Sequence, residues 1–475
     1  MRKTQTTRPM RLLPALALLW LLPGLARAAD VSWSYRVTLA DAEVGGLDIE
    51  WTLLGLSGEV RVCPDMARAD RGVISIEQAE PRKPLARDGN CWLARAPDKG
   101  PLRLRYRYDL AGMAGLTGDP DYVSRVDDSY VFNDEAVLLR PDPLPRNAPI
   151  TVEFQLPDGL TVATPWERLD GPGLRFRYDS EHYDAGSYVA LGRLRFLSEV
   201  KVKGGTGTLS VLDRPRKVSD EQLRAWIQRA LGWVADFYGG LPGGRVHIVL
   251  VPVDSDRPGV FGTVLRRGPP SVVLYFGGRA KETAFRDDWV APHELFHLGN
   301  PSIEGRIPWF IEGFTTYYQD VLLGRAGAVS PTATFGDLHD GLRRFCQPDG
   351  MSLGEESEAL RRTYRYTRVY WGGACLAFRL DVAIRQQGRR DGLDGVLRDL
   401  RRRGQGKPLS EEEIIQALDR AAGAPLTREH LHSRTPIPLE GLYRDLGIEP
   451  TGPESVRLRD DAPLSSIRKS IVPGR

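Results

Sequence analysis

Along the first part of the chain apolar and polar residues alternate with period two; beyond Arg214-Pro215 the spacing becomes helical. The stretches VSWSYRV at 31–37, LRLRYRY at 102–108, ITVEFQL at 150–156 and LRFRY at 174–178 all alternate, with Gly, Pro, Asp and Asn clusters between them. That pattern marks strands with one buried and one solvated face. It predicts an antiparallel β-sandwich domain over 29–215, with the strand arginines turned to water rather than to a polyanion.

In the second part, Leu223, Trp226, Ile227, Ala230, Leu231, Val234 and Phe237 lie at helical spacing. Ser219 and Gln222 form a capping box before them, and Gly239-Gly240 stops the run. VHIVLV at 246–251 and VVLYF at 272–276 read as two strands of a small sheet. Helices are expected at about 288–298, 308–323, 334–346, 357–387, 392–403 and 410–422. The fold class is therefore α+β, a β-sandwich followed by a mostly helical domain over 216–425, with 426–475 as a C-terminal tail that is expected to be loosely ordered after Pro450.

Charge adds an address. Residues 1–28 hold five cations and no acid, an apolar run from Leu12 to Leu22, the breaker Pro23-Gly24, and Ala26-Arg27-Ala28. The run is about half the ~20 residues a bilayer span needs. These features predict a cleaved signal peptide and an exported protein, in the periplasm or outside the cell, with no stable membrane insertion after cleavage. The formal net charge of +3 over 475 residues belongs to this segment, since the rest carries 60 cations against 62 acids. Basic runs such as Arg361-Arg362 and Arg401-Arg402-Arg403 have acids nearby, so no nucleic-acid partner is expected. The four cysteines in an oxidising compartment predict two disulfides, Cys63 with Cys91 and Cys346 with Cys375, each within its own half of the chain.

The chemistry-bearing motif is HELFH at 293–297. Residues four apart on a helix share a face, so His293 and His297 can converge on one ion, while Glu294 lies about 100° round, suited to a general base beside a metal-bound water. Two solvated histidines on a helix are the ordinary alternative. A third ligand is required, with a fourth position open to water. Glu312 is the candidate, separated from His297 by fourteen residues and preceded by Pro308, so that a second helix can turn back antiparallel. Glu304, in the Gly- and Pro-bounded loop, is its competitor.

HELFHLGN at 293–300, WFIEGFTTYY at 309–318 and YWGGACLAFRLDVAIR at 370–385 together resemble the glycyl aminopeptidase family of gluzincin zinc metallopeptidases. GLTVATP at 159–165 is similar to that family's N-terminal β-domain. The resemblance implies a thermolysin-like catalytic domain with one Zn²⁺ per chain, bound by His293, His297 and Glu312. It also implies Glu294 as general base and acid, Tyr370 as oxyanion donor, and a peptide or protein substrate. On the residues alone, Tyr364, Tyr366 and Tyr370 form one helical run, an aromatic stripe typical of core, in which Tyr366 is the runner-up donor.

Three features depart from the family pattern. The insert between His297 and Glu312 is short. The stretch equivalent to the motif that grips a substrate's free amine, VFGTVLRRG at 260–268, has two cations and no acid. The tail after about 425 is too short for the usual PDZ domain. The expected function is an exported zinc metallopeptidase. Two alternatives stand beside it: an aminopeptidase, if an acid elsewhere holds the amine, and a non-catalytic envelope binding or scaffold protein with a structural zinc. His430 and His432 are expected in a solvated loop, and His247 and His339 as ordinary surface or core residues.

Overall fold

The computed structural model describes residues 31–41, 45–117, 119–183 and 185–474. The expected signal peptide lies outside them. Among the described residues no helix is long and apolar enough to cross a membrane.

The period-two segments form an eight-stranded sheet. At its centre, Ser32–Leu39 pairs antiparallel with Gly46–Leu54 and parallel with Pro149–Gln155, the one parallel pairing in this sheet. In Leu102–Asp109 the burial follows the sequence pattern: Leu102, Leu104, Tyr106 and Tyr108 are buried, while Arg103, Arg105 and Arg107 are exposed. Arg105 pairs across strands with Glu50 at 3.0 Å, an exposed pair worth about 0–1 kcal/mol. Two four-stranded sheets complete this unit. In one of them Cys63 and Cys91 terminate neighbouring antiparallel strands, with their Cα atoms 4.4 Å apart in a disulfide.

A five-stranded sheet supports the second unit, in the order Leu194–Val202, Gly205–Leu212, Arg245–Val253, Ser271–Gly277, Gly259–Leu265. Its first two strands precede Arg214-Pro215. The sheet therefore begins about twenty residues ahead of the change in periodicity, because Gly205–Leu212 pairs in parallel with Arg245–Val253 across an intervening helix. Period two tells strand from helix but not which sheet a strand joins. One face of the sheet packs on the helix Asp220–Tyr238, whose capping box is formed: the Gln222 amide N–H donates to Ser219 Oγ, and the Ser219 N–H donates to Gln222 Oε1. The other face meets the β-domain, with Val249, Val251, Val273 and Tyr275 against Val131, Ala163, Tyr188 and Ala190.

The helix expected over 357–387 is broken. Leu353–Glu358 and Leu360–Thr363 are followed by Tyr364 in the left-handed region (φ 55°), and only then comes Tyr366–Gln386. The break folds Arg365 and Arg368 back onto the fully buried Glu356, at 3.0 and 2.9 Å. A buried carboxylate is costly unless it is paired, so two guanidiniums outweigh the continuity of a helix. Cys346 and Cys375 join the helix Pro331–Phe345 to Tyr366–Gln386.

The segment after Pro425 is ordered, and so is the stretch after Pro450 that was expected to be loose. It forms helices Leu426–His432, Glu440–Leu446 and Ser465–Ile471 and the hairpin Ile448–Gly452/Ser455–Leu458. Leu446, Ile448, Val456, Ile471 and Val472 join the core of the second unit. Arg468, which is buried, locks the segment by donating to the carbonyls of Leu446 and Gly447 at 2.9 and 3.0 Å. Those carbonyls end a helix, where a cation is favoured.

Candidate metal centre

Helix Val290–Phe296 begins where Asp288 fixes it. This buried carboxylate accepts the N–H of Ala291 at 3.0 Å, the N–H of Gly259 at 3.0 Å and the indole N–H of Trp226 at 3.1 Å. An acid at a helix N-terminus satisfies donors that have no partner within the helix. The anchor also ties the helix to the edge strand Gly259–Leu265 and to the helix Asp220–Tyr238. A short 3-10 turn, His297–Gly299, closes the helix, and the chain returns as Pro308–Ala326.

This arrangement brings three donor atoms together. His293 Nε2 and His297 Nε2 each lie 3.5 Å from Glu312 Oε2. That is long for a hydrogen bond and close to the ~3.4 Å edge of a tetrahedron with ~2.0–2.1 Å bonds about one ion. The far side of each imidazole is held as well. His293 Nδ1 lies 2.8 Å from Gln319 Oε1, which accepts its proton. His297 Nδ1 lies 2.9 Å from Asn300 Nδ2 and 3.4 Å from Thr315 Oγ1. Thr315 donates its own proton to the Ile311 carbonyl at 2.6 Å, so a lone pair is free for the imidazole. A proton on His293 Nδ1 leaves its Nε2 unprotonated, the tautomer a metal needs. The donor set therefore fits a divalent ion such as zinc.

Burial works to raise the pKa of Glu312, but His297 and His293 outweigh it and hold the carboxylate well below its ordinary range. Glu294 lies against the edge strand, where a Cβ at Gly262 would meet its Cγ at 2.3 Å. Burial pushes the Glu294 carboxyl up, against the charges of the two histidines.

Tyr370 stacks on His293 with ring centroids 6.4 Å apart. Burial, then the charges of Glu312 and Glu294, push its hydroxyl well above the usual phenol value, so it stays a donor. Tyr366 packs edge-on against Tyr370 at 6.2 Å, one step further from the histidines, and is 45% exposed. Tyr364 is outside the helix. The Tyr370 helix reaches the Glu312 helix by close backbone approach: a Cβ at Gly313 would lie 2.4 Å from Gly373 Cα, and one at Gly373 would lie 2.1 Å from the Trp309 carbonyl oxygen. Glu304 is exposed in the loop, its backbone bonded to Leu409, and is not among the three converging donors.

Tyr317 and Tyr318 are packing residues, donating to Asp381 at 2.9 Å and Asp394 at 2.7 Å. The residues that orient the imidazoles are Gln319, Thr315 and Asn300. Their signal was available: Thr315 and Gln319 lie three and seven residues after Glu312 on the same helical face, and Asn300 three after His297. Asp121 had no such signal. It comes from the β-domain, and its Oδ1 accepts from Thr263 Oγ1 on the edge strand at 2.6 Å and from the Tyr188 hydroxyl at 2.9 Å. Its charge reaches Glu294. His430, expected in water, is buried on a helix with Arg379 at 2.8 Å from its Nδ1, and burial pushes it down to about 3.

Residues 300–370 match the family model described as M61 glycyl aminopeptidase. No curated protein matches the chain by sequence. Among solved structures, an aminopeptidase N family protein from Idiomarina loihiensis is similar with a TM-score of 0.72 at 18% identity, over 88% of this chain and 78% of that one. The M1 zinc metallopeptidase of Deinococcus radiodurans gives a TM-score of 0.56 at 16% identity, over 87% and 96%, and one variant of it is solved with a Tyr-Ser-Ala substrate. Yeast LTA4 hydrolase with bestatin gives 0.54 at 14%, over 86% and 68%.

Proposed function

Taking the chain as a member of the glycyl aminopeptidase family of gluzincins, we propose that it is an exported zinc-dependent metallopeptidase binding one Zn²⁺ per chain. The observation that carries this reading is the convergence of His293 Nε2, His297 Nε2 and Glu312 Oε2 with Glu294 beside them and Tyr370 above. A zinc ion bound there supplies a water of pKa near ~7 and Lewis acidity toward a peptide carbonyl. Glu294 takes the proton of the attacking water and returns it to the leaving nitrogen. Tyr370 donates to the oxyanion, and Gln319, Asn300 and Thr315 keep the histidines aimed. A purely structural zinc would have no use for Glu294.

The test is Glu294→Gln. It is expected to retain stoichiometric zinc and to lose about 10²- to 10⁴-fold in kcat on peptides. Parental turnover would refute the assignment.

Asp121 favours aminopeptidase action as a second reading. The stretch 260–268 brings no acid, yet Thr263 within it holds Asp121, whose Oδ2 has no partner among the described residues. An ammonium in the cleft would find its counter-ion there. N-acetylation is then expected to raise KM, and Asp121→Asn to remove the difference between free and acetylated peptides. Equal hydrolysis of both forms by the parent protein would point to endopeptidase action.

A further inference from the structure

The stretch 260–268 brings two cations where an acid would grip an amine, and the mechanism above uses neither. Arg266 directly follows the edge strand Gly259–Leu265 and is half-buried, with no ion pair among the described residues. Its Nη1 donates to the carbonyl of Asn300 at 2.7 Å and to that of Pro301 at 3.1 Å. These acceptors follow the 3-10 turn His297–Gly299, where the chain leaves the helix Val290–Phe296 and main-chain carbonyls find no partner within it. Holding a cation there is costly: burial, then the neighbouring Arg267, pushes the Arg266 guanidinium down to about 10. An uncharged side chain of similar length would escape that cost, so global stability gives little reason for an arginine at this position.

The edge strand meets the helix at three points. The Gly259 N–H donates to Asp288, which starts the helix, at 3.0 Å; a Cβ at Gly262 would meet Glu294 Cγ at 2.3 Å; and Arg266 holds the chain just past the far end. These points advance together along both elements, so the strand lies beside the helix as a splint. Its last pin stands next to a ligand: Asn300 Nδ2 is 2.9 Å from His297 Nδ1, and the Asn300 N–H donates to the His297 carbonyl at 3.1 Å. His293 is oriented from elsewhere, by Gln319 of the helix Pro308–Ala326. On the reading of His293, His297 and Glu312 as a metal centre, we propose that Arg266 is a positioning residue: it fixes the main chain at Asn300 and so holds the His297 imidazole, but not that of His293, in place for the ion.

The test is Arg266→Met, which keeps the stem and removes the donors, beside Arg266→Lys, whose ammonium can serve both carbonyls from one nitrogen as Nη1 does. In Arg266→Met, zinc affinity read by competition with a chelator is expected to fall about 10-fold, while the urea midpoint of the zinc-free protein stays level or rises. Arg266→Lys is expected to restore the affinity. In zinc-free protein the imidazole NMR signals of His297 are expected to shift in Arg266→Met and those of His293 to stay. Parental zinc affinity in Arg266→Met, an equally low affinity in Arg266→Lys, or a fall in affinity accompanied by a lowered urea midpoint overturns the proposal and leaves the metal centre standing. A parent protein that binds no zinc fails the metal-centre reading itself. The histidine signals then decide the Arg266 question: a shift at His297 alone upholds its positioning of that ring, and equal shifts or none end it.

Discussion

The floor and the rim of the cleft are built in different ways. The floor, His293, Glu294, His297 and Glu312, comes from one stretch of twenty residues, and its geometry is set by helical spacing and one short turn. The rim, Asp121, Tyr366 and Tyr370, comes from two distant segments and depends on helix-to-helix and sheet-to-domain packing. The convergence of the three donor atoms should therefore survive perturbations that displace the rim.

The sharpest way to break that comparison is Gly373→Ala. The added Cβ meets main-chain atoms of Trp309 and Gly313, which cannot step aside, so the Tyr370 helix must move off the Glu312 helix. A stability loss of about 1–3 kcal/mol is expected from denaturant midpoints, with kcat reduced and zinc content retained. Loss of zinc as well would show that the floor is not locally made. Gln319→Leu attacks the floor alone: His293 loses the acceptor for its Nδ1 proton, and zinc affinity is expected to fall about 10- to 100-fold with KM unchanged in zinc-saturated protein. Competition with a chelator reads the affinity, and an unchanged value would remove Gln319 from the site.

The smallest effect concerns a histidine in neither part. His247 is buried between Thr208 and Ser210, and burial pushes it down to about 4, below the ~6.5 of an unfolded chain. Between these values the unfolded state binds the proton more tightly than the folded one. Its contribution is therefore complete above pH ~6.5 and declines on acidification by at most about 1.4 kcal/mol per pH unit. His247→Asn is expected to flatten the acid limb of urea midpoints measured from pH 7 to 5, with zinc content unaffected. A parental slope in the variant would assign the acid sensitivity elsewhere.

The strands and helices were legible because burial imposes periods of 2 and 3.6 on a single segment. The break at Tyr364 was not, because its cause is Glu356 pairing with Arg365 and Arg368, a cost of burial that no local window contains. The tail was misjudged for the same reason: Arg468 is an unremarkable cation in sequence and a buried clamp in the fold.

By itself the sequence determined the residues able to converge on an ion, since helical spacing and a fourteen-residue return leave Glu312 few other places to go. It also carried Gly313 and Gly373, the glycines of two separate motifs, without saying that they touch. Only the tertiary structure decided that contact and the seating of Asp121 on the edge strand. Each of these is a pairing between segments far apart in the chain, fixed by packing and charge rather than by local periodicity.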